Sequence, residues 1–296
     1  MTGLQHVPSH VVRFGFRVNL GVRQEGLLSY SPNPWVEPSP TGPQPFASPP
    51  ASVIQDPSWT GWDVLRVAFA TIGAIIVFLL LVASLAHRLL YPGLPFAEVS
   101  KYPLVTVIAQ FLAYLVVLAY MMAVVDRRAA EGFWRAIHWN WPQNWPGYVL
   151  GGTVLAFALQ AFAHFLPMPK ELPIDRFFQT PAEAWILSLF GATFAPLIEE
   201  LFFRGFLYPV LARRLGIFLA VVLTAAGFGL IHSPQLGRAW APVLIVFLVG
   251  LALTIARAVT NSVAAGMIIH MTYNATLSVL IFVATGGFRH FEKLTQ

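Results

Sequence analysis

The stretch PLIEELFFRG, residues 196–205, decides how the whole chain is interpreted. It continues an apolar run that begins at Ala184, yet it contains Glu199, Glu200 and Arg204. An ionised side chain at the centre of a membrane helix raises the free energy of insertion by about 2.5 to 3.5 kcal/mol. These groups must therefore pair with one another or contact water, which makes the stretch the candidate for a buried polar site.

The composition of the chain indicates a membrane protein. Of its 296 residues 57% are hydrophobic and 10% are charged, whereas soluble domains carry about 25% charged residues. A net charge of +5 spread over an apolar chain fits cytoplasmic loops better than a nucleic-acid-binding face, so no nucleic-acid partner is expected. The absence of cysteine excludes disulfides, thiolate zinc sites, iron–sulfur clusters and cysteine nucleophiles.

Hydrophobic runs of about 20 residues, the length of a helix that crosses a bilayer, follow one another along most of the chain. Seven spans are predicted, at 67–86, 103–125, 147–166, 183–208, 215–231, 239–256 and 262–284. Pro196, Pro234 and Pro242 are able to break a helix, which leaves six or eight segments open. The predicted fold is all-α, a polytopic transmembrane helix bundle of about seven or eight spans.

Four regions are predicted along the chain. Residues 1–60 hold ten prolines and no apolar run of membrane length, which is typical of a disordered tail. Residues 61–182 carry the N-terminal membrane helices and a tryptophan-rich segment, 133–146, that either lies at the membrane interface or packs on the bundle. Residues 183–284 form a helix bundle with all candidate site residues, and 285–296 form a polar C-terminal tail.

The spacing of the charged residues predicts how they are held. On a helix, Glu200 and Arg204 are four residues apart, so their side chains share one face and can form an ion pair. Glu199 is rotated by about 100° from Glu200 and cannot share that geometry equally. We therefore expect one carboxylate to be held by arginine and the other to be free to handle protons.

Three polar residues lie at matching depth in later spans. His232 ends the fifth span, and His270 lies in the seventh with Asn274 one turn later on the same face. Each polar group has a structural alternative, since a histidine at a span end is often interfacial, an asparagine often links helices, and an ion pair can be purely structural. A structural link needs only one pair, so convergence of all these groups favours a functional cluster.

Three motifs resemble those of the CPBP intramembrane protease family. They are EExxxR at 199–204, FxxxH at 228–232 and HxxxN at 270–274, in that order along the chain. The family includes the type II CAAX prenyl endopeptidases and bacterial proteins linked to bacteriocin self-immunity. Thr254 stands where relatives usually have glycine, and so does the pair at 261–262; we expect this departure to affect helix packing and no polar role.

The resemblance implies hydrolysis of a peptide bond within or near the membrane. In the roles carried over from the family, Glu199 is the general base that activates water and His232 helps to hold that water. Glu200 and Arg204 brace the site. A carboxylate within hydrogen-bond reach of water can act as such a base, which makes the implied chemistry reasonable.

The same resemblance assigns His270 and Asn274 to stabilisation of the oxyanion, and it leaves the cofactor open. If a metal takes part, it is zinc held by Glu200, His232 and His270, since two histidines and a glutamate can bind zinc with one position open for water. The chain has no HExxH helix, however, and the histidines come from different spans. In the metal-free alternative, Glu199 and His232 polarise the water directly.

Two other classes of function use the same residue types. A proton-coupled membrane transporter also needs intramembrane acids and histidines, although the internal repeats common in carriers are absent from this sequence. A non-catalytic membrane scaffold or immunity protein would keep the fold without turnover. We favour the endopeptidase, acting on a membrane-associated protein or peptide, of CAAX type or another. The expected location is integral and multi-pass, in the plasma membrane of a prokaryote.

Overall fold

The computed structural model describes residues 57–178 and 180–291, and all regular elements within these ranges are helical. In chain order they are α1 (Gly61–Leu89), α2 (Phe96–Val99), α3 (Pro103–Asp126), α4 (Phe133–Ala136), α5 (Trp145–Ala163), a 3₁₀ turn (Pro173–Phe177), α6 (Pro181–Ala192), α7 (Phe194–Glu200), a π-helix (Leu201–Leu207), α8 (Tyr208–His232), α9 (Trp240–Thr260) and α10 (Val263–Ala284). The predicted all-α fold is confirmed.

The two predicted tails lie mostly outside the described residues. Of the N-terminal tail predicted at 1–60, only the last four residues are described, and Trp59 among them is buried. Of the C-terminal tail predicted at 285–296, residues 285–291 are described, and they include the buried Thr285 and Phe288.

Six helical stretches in the described residues are long and apolar enough to cross a membrane, so the chain is an integral, multi-pass membrane protein. One of them, Pro181–His232, has 52 residues. As a straight helix it would be about 78 Å long, more than twice the hydrocarbon thickness of a bilayer. A single crossing by this stretch is therefore excluded.

Gly216 divides this long stretch into two spans. Its φ of 78° and ψ of 164° are backbone angles that glycine adopts far more readily than other residues. The rings of Phe203 and Phe228 lie 5.3 Å apart, whereas a straight helix would separate them by about 37 Å. The chain therefore reverses its direction after Gly216. With this division the six stretches become seven spans, the number predicted.

Proline sets the direction of the helix that carries the two acids. α6 ends at Ala192, and Thr193 between α6 and α7 has the non-helical angles φ −125° and ψ −75°. Pro196 has no N–H, and its ring would clash with the carbonyl of Ala192 in a continuous helix. The break therefore re-aims the chain just before Glu199. Pro242, in contrast, lies in the first turn of α9, where proline is tolerated.

The π-helix lies between two hydrophobic cores. One core joins α1 and α3 to the π-helix and includes Val67, Met121 and Phe206. The other includes Phe203 and Phe228 and joins the π-helix to α5, α8, α9 and α10. Because side chains of the π-helix enter both cores, the segment after the two glutamates is central in the bundle.

The tryptophan-rich segment 133–146 packs on the bundle and also exposes several of its tryptophans. Ile137 is buried against Gly205 of the π-helix, where an added Cβ would lie 3.3 Å from the Ile137 Cβ. The carbonyl of His138 accepts a hydrogen bond from the Val263 N–H at the start of α10. The segment therefore touches both the π-helix and the turn between α9 and α10.

Candidate active site

Four helical elements bring five of the six predicted side chains together. Glu199 and Glu200 are the last two residues of α7, and Arg204 is in the π-helix. His232 is the last residue of α8, and His270 is in the first half of α10. The break before α7 and the reversal within α8 are what allow residues so far apart in sequence to meet.

A buried ion pair joins Glu200 and Arg204. The Arg204 Nη1 lies 2.7 Å from the Glu200 Oε1, and both side chains are 0% exposed. The pair predicted from the four-residue spacing is therefore present. Removing two charges from water carries a free-energy penalty of several kcal/mol per ion, so the pair needs further hydrogen bonds to be stable.

Helix α9 supplies the remaining partners of the arginine. Arg204 Nε donates to the Thr254 hydroxyl at 3.2 Å, and Nη2 donates to the Gly250 carbonyl at 2.9 Å. The Thr254 hydroxyl in turn donates to the same carbonyl at 2.7 Å. The Arg204 guanidinium also lies 4.6 Å from the ring centre of Phe228, in cation–π contact. The donors of the guanidinium are thus directed at fixed acceptors.

The expectation that Thr254 has no polar role is wrong. Its hydroxyl accepts from Arg204, so the residue that replaces the usual glycine takes part in holding the buried charge. A signal for this was present in the sequence. Thr254 is the one hydroxyl-bearing residue of the predicted span 239–256, and it is four residues from Gly250 on the same helix face.

Glu200 also holds His270. The His270 Nδ1 lies 3.0 Å from the Glu200 Oε1, and because an ionised carboxylate only accepts, Nδ1 carries the hydrogen. The second oxygen, Oε2, has no hydrogen-bond partner among the described residues and faces Gly266, where an added Cβ would lie 2.7 Å away. Glycine at this position lets the carboxylate approach the α10 backbone closely.

Glu199 lies between the two histidines. Its Oε1 is 3.9 Å from His232 Nε2, and its Oε2 is 3.8 Å from His270 Nε2. His232 Nδ1 lies 2.7 Å from the carbonyl of Phe228, to which it donates, so both rings turn Nε2 towards Glu199. The two separations exceed a direct hydrogen bond, and one water molecule can bridge each of them.

Asn274 has a different neighbour. Its Nδ2 donates to the Gly191 carbonyl at 2.7 Å and so links α10 to the end of α6. The structure places Asn274 one turn after His270, as the spacing predicts, but this hydrogen bond is of the helix-linking kind. The oxyanion role expected for Asn274 is therefore not visible in its contacts.

The residues named for zinc do not fit one ion as they are placed. Glu200 is bonded to Arg204 and His270, whereas His232 faces Glu199 instead. No group of three His, Cys, Asp or Glu side chains within residues 57–178 and 180–291 is arranged to hold a metal ion.

An open groove of about 560 Å³ lies between α5 and α10, and none of the six predicted site residues is among its lining residues. Thr193, at the break before α7, and Met271, which follows His270, are among its lining residues. Most of its wall is apolar, with Phe157 and Leu280 among the side chains.

Comparison with known protein families points to the same part of the chain. Residues 181–276, about a third of the sequence, match the family model described as type II CAAX prenyl endopeptidase Rce1-like. The match contains all six predicted site residues and confirms the predicted family resemblance. No curated protein and no solved structure matches the chain. The match indicates a membrane-bound hydrolase of the protease type.

Proposed function

We propose that the protein is an intramembrane endopeptidase in which Glu199 activates a water molecule for attack on a peptide bond. The observation that carries the proposal is the position of the Glu199 carboxylate between two imidazoles, 3.9 Å from His232 Nε2 and 3.8 Å from His270 Nε2. A water molecule placed there contacts a base and a ring nitrogen at once, which is the arrangement that general base catalysis needs.

The proposed reaction begins with the water between Glu199 and His232. Glu199 accepts one proton from this water while the water oxygen attacks the carbonyl carbon of the substrate. His232 Nε2 accepts a hydrogen bond from the other O–H of the water and so orients the water molecule. Glu199 then returns its proton to the amine as the C–N bond breaks, and the products are a carboxylic acid and an amine.

His270 is the proposed partner of the oxyanion. Glu200 accepts the Nδ1–H of His270 and balances the positive charge of the ring when Nε2 is protonated. In that state Nε2–H can donate to the developing negative charge, and Arg204 holds Glu200 in place for this task. Asn274 has two N–H groups, of which one bonds to Gly191, and a contribution of the other to the oxyanion is part of the proposal.

The proposed substrate is a membrane-associated protein or peptide, with the CAAX type as the first candidate. The matched family model is that of CAAX prenyl endopeptidases, and the groove next to Thr193 and Met271 has the apolar lining that a chain in the bilayer requires. The proposed location, the plasma membrane of a prokaryote, follows from the bacterial members of the resembling family. The proposed chemistry is free of metal.

The decisive experiment compares the purified protein with its Glu199→Gln variant in liposomes that contain a quenched fluorescent peptide, with and without a farnesylated CAAX end. We expect Glu199→Gln to lower the cleavage rate by about 10²-fold or more, because the amide cannot accept the proton of water. Glu98→Gln, the same change on an exposed residue of α2, is the matched control and should cleave normally. Undiminished cleavage by Glu199→Gln would contradict the proposal.

Two further arms of this experiment test the cofactor and the rival functions. Cleavage should persist in the presence of a chelator, and its loss, restored by added zinc, would assign an ion to the site. Cleavage by neither protein, together with proton uptake that depends on Glu199, would identify a transporter. Preference for the farnesylated peptide over the unmodified one tests the CAAX assignment separately.

A further inference from the structure

The π-helix lacks one of the backbone donors that its hydrogen-bond pattern requires. The N–H of Tyr208 bonds to the carbonyl of Phe203, five residues earlier. The next residue is Pro209, which has no N–H, so this pattern cannot continue to the carbonyl of Arg204. In a hydrocarbon environment a backbone carbonyl needs a partner within the protein. The partner of this carbonyl must therefore come from outside the helix.

Arg257 of α9 provides the missing donor. Its Nε donates to the carbonyl of Arg204 at 3.2 Å, and the Arg257 side chain is buried. Arg257 is fixed from two sides, because its Nη1 donates to the Asn261 Oδ1 at 2.6 Å and its guanidinium lies 5.6 Å from the ring centre of Tyr208. Asn261, at the end of α9, has the left-handed φ of 51° that places its side chain there.

A second side chain satisfies another carbonyl of the same π-helix. Trp59 Nε1 donates to the Phe206 carbonyl at 2.7 Å, and its ring stacks on the Phe206 ring with centroids 5.2 Å apart. Main-chain groups of the π-helix are thus held by an arginine on one side and a tryptophan on the other. Both side chains come from distant parts of the sequence, 147 residues from Phe206 and 53 residues from Arg204.

The main-chain contact matters for the site because α9 holds both ends of the same residue. Thr254 and Gly250 fix the side chain of Arg204, and Arg257 fixes its carbonyl. If the π-helix relaxed to an α-helix, the register would shift by one residue, a rotation of about 100° between the side chains on either side. Arg204 and Glu200 would still be four residues apart and able to pair, but the Arg204 side chain would turn away from Gly250 and Thr254 on α9.

We infer that Arg257 is a positioning residue: by replacing the donor that Pro209 lacks, it keeps the π-helix in the register in which Arg204 reaches Glu200 and its partners on α9 at the same time. Its catalytic consequence rests on the proposed function. The structural part of the inference stands on the contact between Arg257 and the Arg204 carbonyl alone. Arg257 lies outside the three sequence motifs, and its contacts are with the Arg204 carbonyl, Asn261 and Tyr208, so it supports the site and takes no part in the reaction.

The test uses the full chain in nanodiscs and the variants Arg257→Met, Arg257→Lys and Asn261→Gly. Hydrogen–deuterium exchange of the peptide covering residues 201–208 should rise for Arg257→Met and by less for Asn261→Gly. Arg257→Lys, which retains a charged donor group on a shorter side chain, should show an intermediate rise. Arg66→Met, which removes an exposed arginine of α1, is the control and should leave this exchange unchanged. If Arg257→Met folds too poorly to purify, Asn261→Gly, which keeps the left-handed conformation, decides the question.

Cleavage kinetics give the second readout. We expect Arg257→Met to lower kcat by about 10- to 100-fold with KM nearly unchanged, because misplacement of Glu200 affects the reaction and leaves the groove intact. Unchanged exchange at 201–208, exchange that rises equally in all helices, or a normal kcat would overturn the inference. If the unmodified protein cleaves no peptide, the proposed function fails, and the exchange data still decide whether Arg257 holds the π-helix.

Discussion

The helix pair α1–α3 and the region from α7 to α10 each contain a contact of about 3 Å between an arginine and a carboxylate, yet the surroundings differ. In the first region Arg128 Nη1 lies 3.0 Å from the Asp63 Oδ2, at the ends of the two helices, and Arg128 is 40% exposed. In the second region Arg204 and Glu200 lie 2.7 Å apart with both side chains 0% exposed.

The difference shows that the distance between the two charged groups does not by itself determine how much an ion pair contributes to stability. Asp63 also accepts hydrogen bonds from the Thr60 N–H and hydroxyl, and Arg128 can exchange its partner for water. Arg204 and Glu200 have no such replacement, so their charges depend on hydrogen bonds from α9 and α10. Loss of either partner of a buried ion pair leaves the other charge uncompensated, so the stability of this region depends on the pair.

The largest predicted effect separates the two arginines. Arg204→Met should lower the free energy of unfolding by about 3 to 5 kcal/mol, because it leaves Glu200 buried and unpaired. Arg128→Met should lower it by about 1 kcal/mol, because Asp63, although buried, keeps its hydrogen bonds from Thr60 and its contact with Arg66. Unfolding in mixed detergent micelles, followed by circular dichroism, measures both. Equal losses for the two variants would show that burial does not control the energetics of these pairs.

A smaller effect is predicted for one glycine in each region. Gly266→Ala should move the Glu200 carboxylate, since the new Cβ would lie 2.7 Å from Oε2, and should reduce peptide cleavage with a modest loss of stability. Gly73→Ala in α1 is the matched control, because nothing lies within 4 Å of its added Cβ. The comparison is sharpened if Gly266→Ala alone is impaired, and it fails if both variants cleave like the unmodified protein.

The smallest predicted effect concerns His138, in the tryptophan-rich segment 133–146 outside the spans. Burial lowers the pKa of His138 below its usual value of 6.5, and the positive charge of Arg257 lowers this pKa further. At a pH between the pKa of His138 in the folded protein and the value of 6.5 in the unfolded chain, the unfolded chain binds more protons. Stability should therefore fall as the pH drops below about 6.5.

The His138→Asn variant tests this pH dependence, because asparagine tolerates the left-handed φ of 62° at this position and does not titrate. Thermal unfolding at pH 7.5 and pH 5.5 should show a smaller loss of stability for the variant than for the unmodified protein. An identical loss in both proteins would assign the pH dependence to other groups.

The sequence predicts the two long helices of the α1–α3 region, but not the contact of Asp63 with Arg128, and it predicts the second region only in part. Long apolar runs without charges specify helices that cross a membrane, and the four-residue spacing of Glu200 and Arg204 specifies their ion pair. Both signals are local. The partners of Arg204 on α9 lie 46 and 50 residues away, and no local pattern tells which face of α9 meets them.

Two further features, the π-helix and the hydrogen bond of Asn274, are also not predicted from the sequence. An α-helix was expected through residues 201–207, where the chain forms a π-helix, and only the donor missing at Pro209 hints at it. Asn274 shares a face with His270, as the spacing predicts, but its bond to Gly191 depends on where α6 ends. Tertiary packing decides each of these features.

Glu200 and Arg204 can neutralise each other before the rest of the site has been synthesised. Their contact needs only four residues of helix, whereas Gly250, Thr254 and His270 leave the ribosome 46, 50 and 70 residues after their partners. The nascent segment can thus enter lipid with its counter-ion already attached, and it does not have to wait for later helices. The same ion pair that lowers the cost of insertion later becomes part of the polar cluster, once α9 and α10 pack against it.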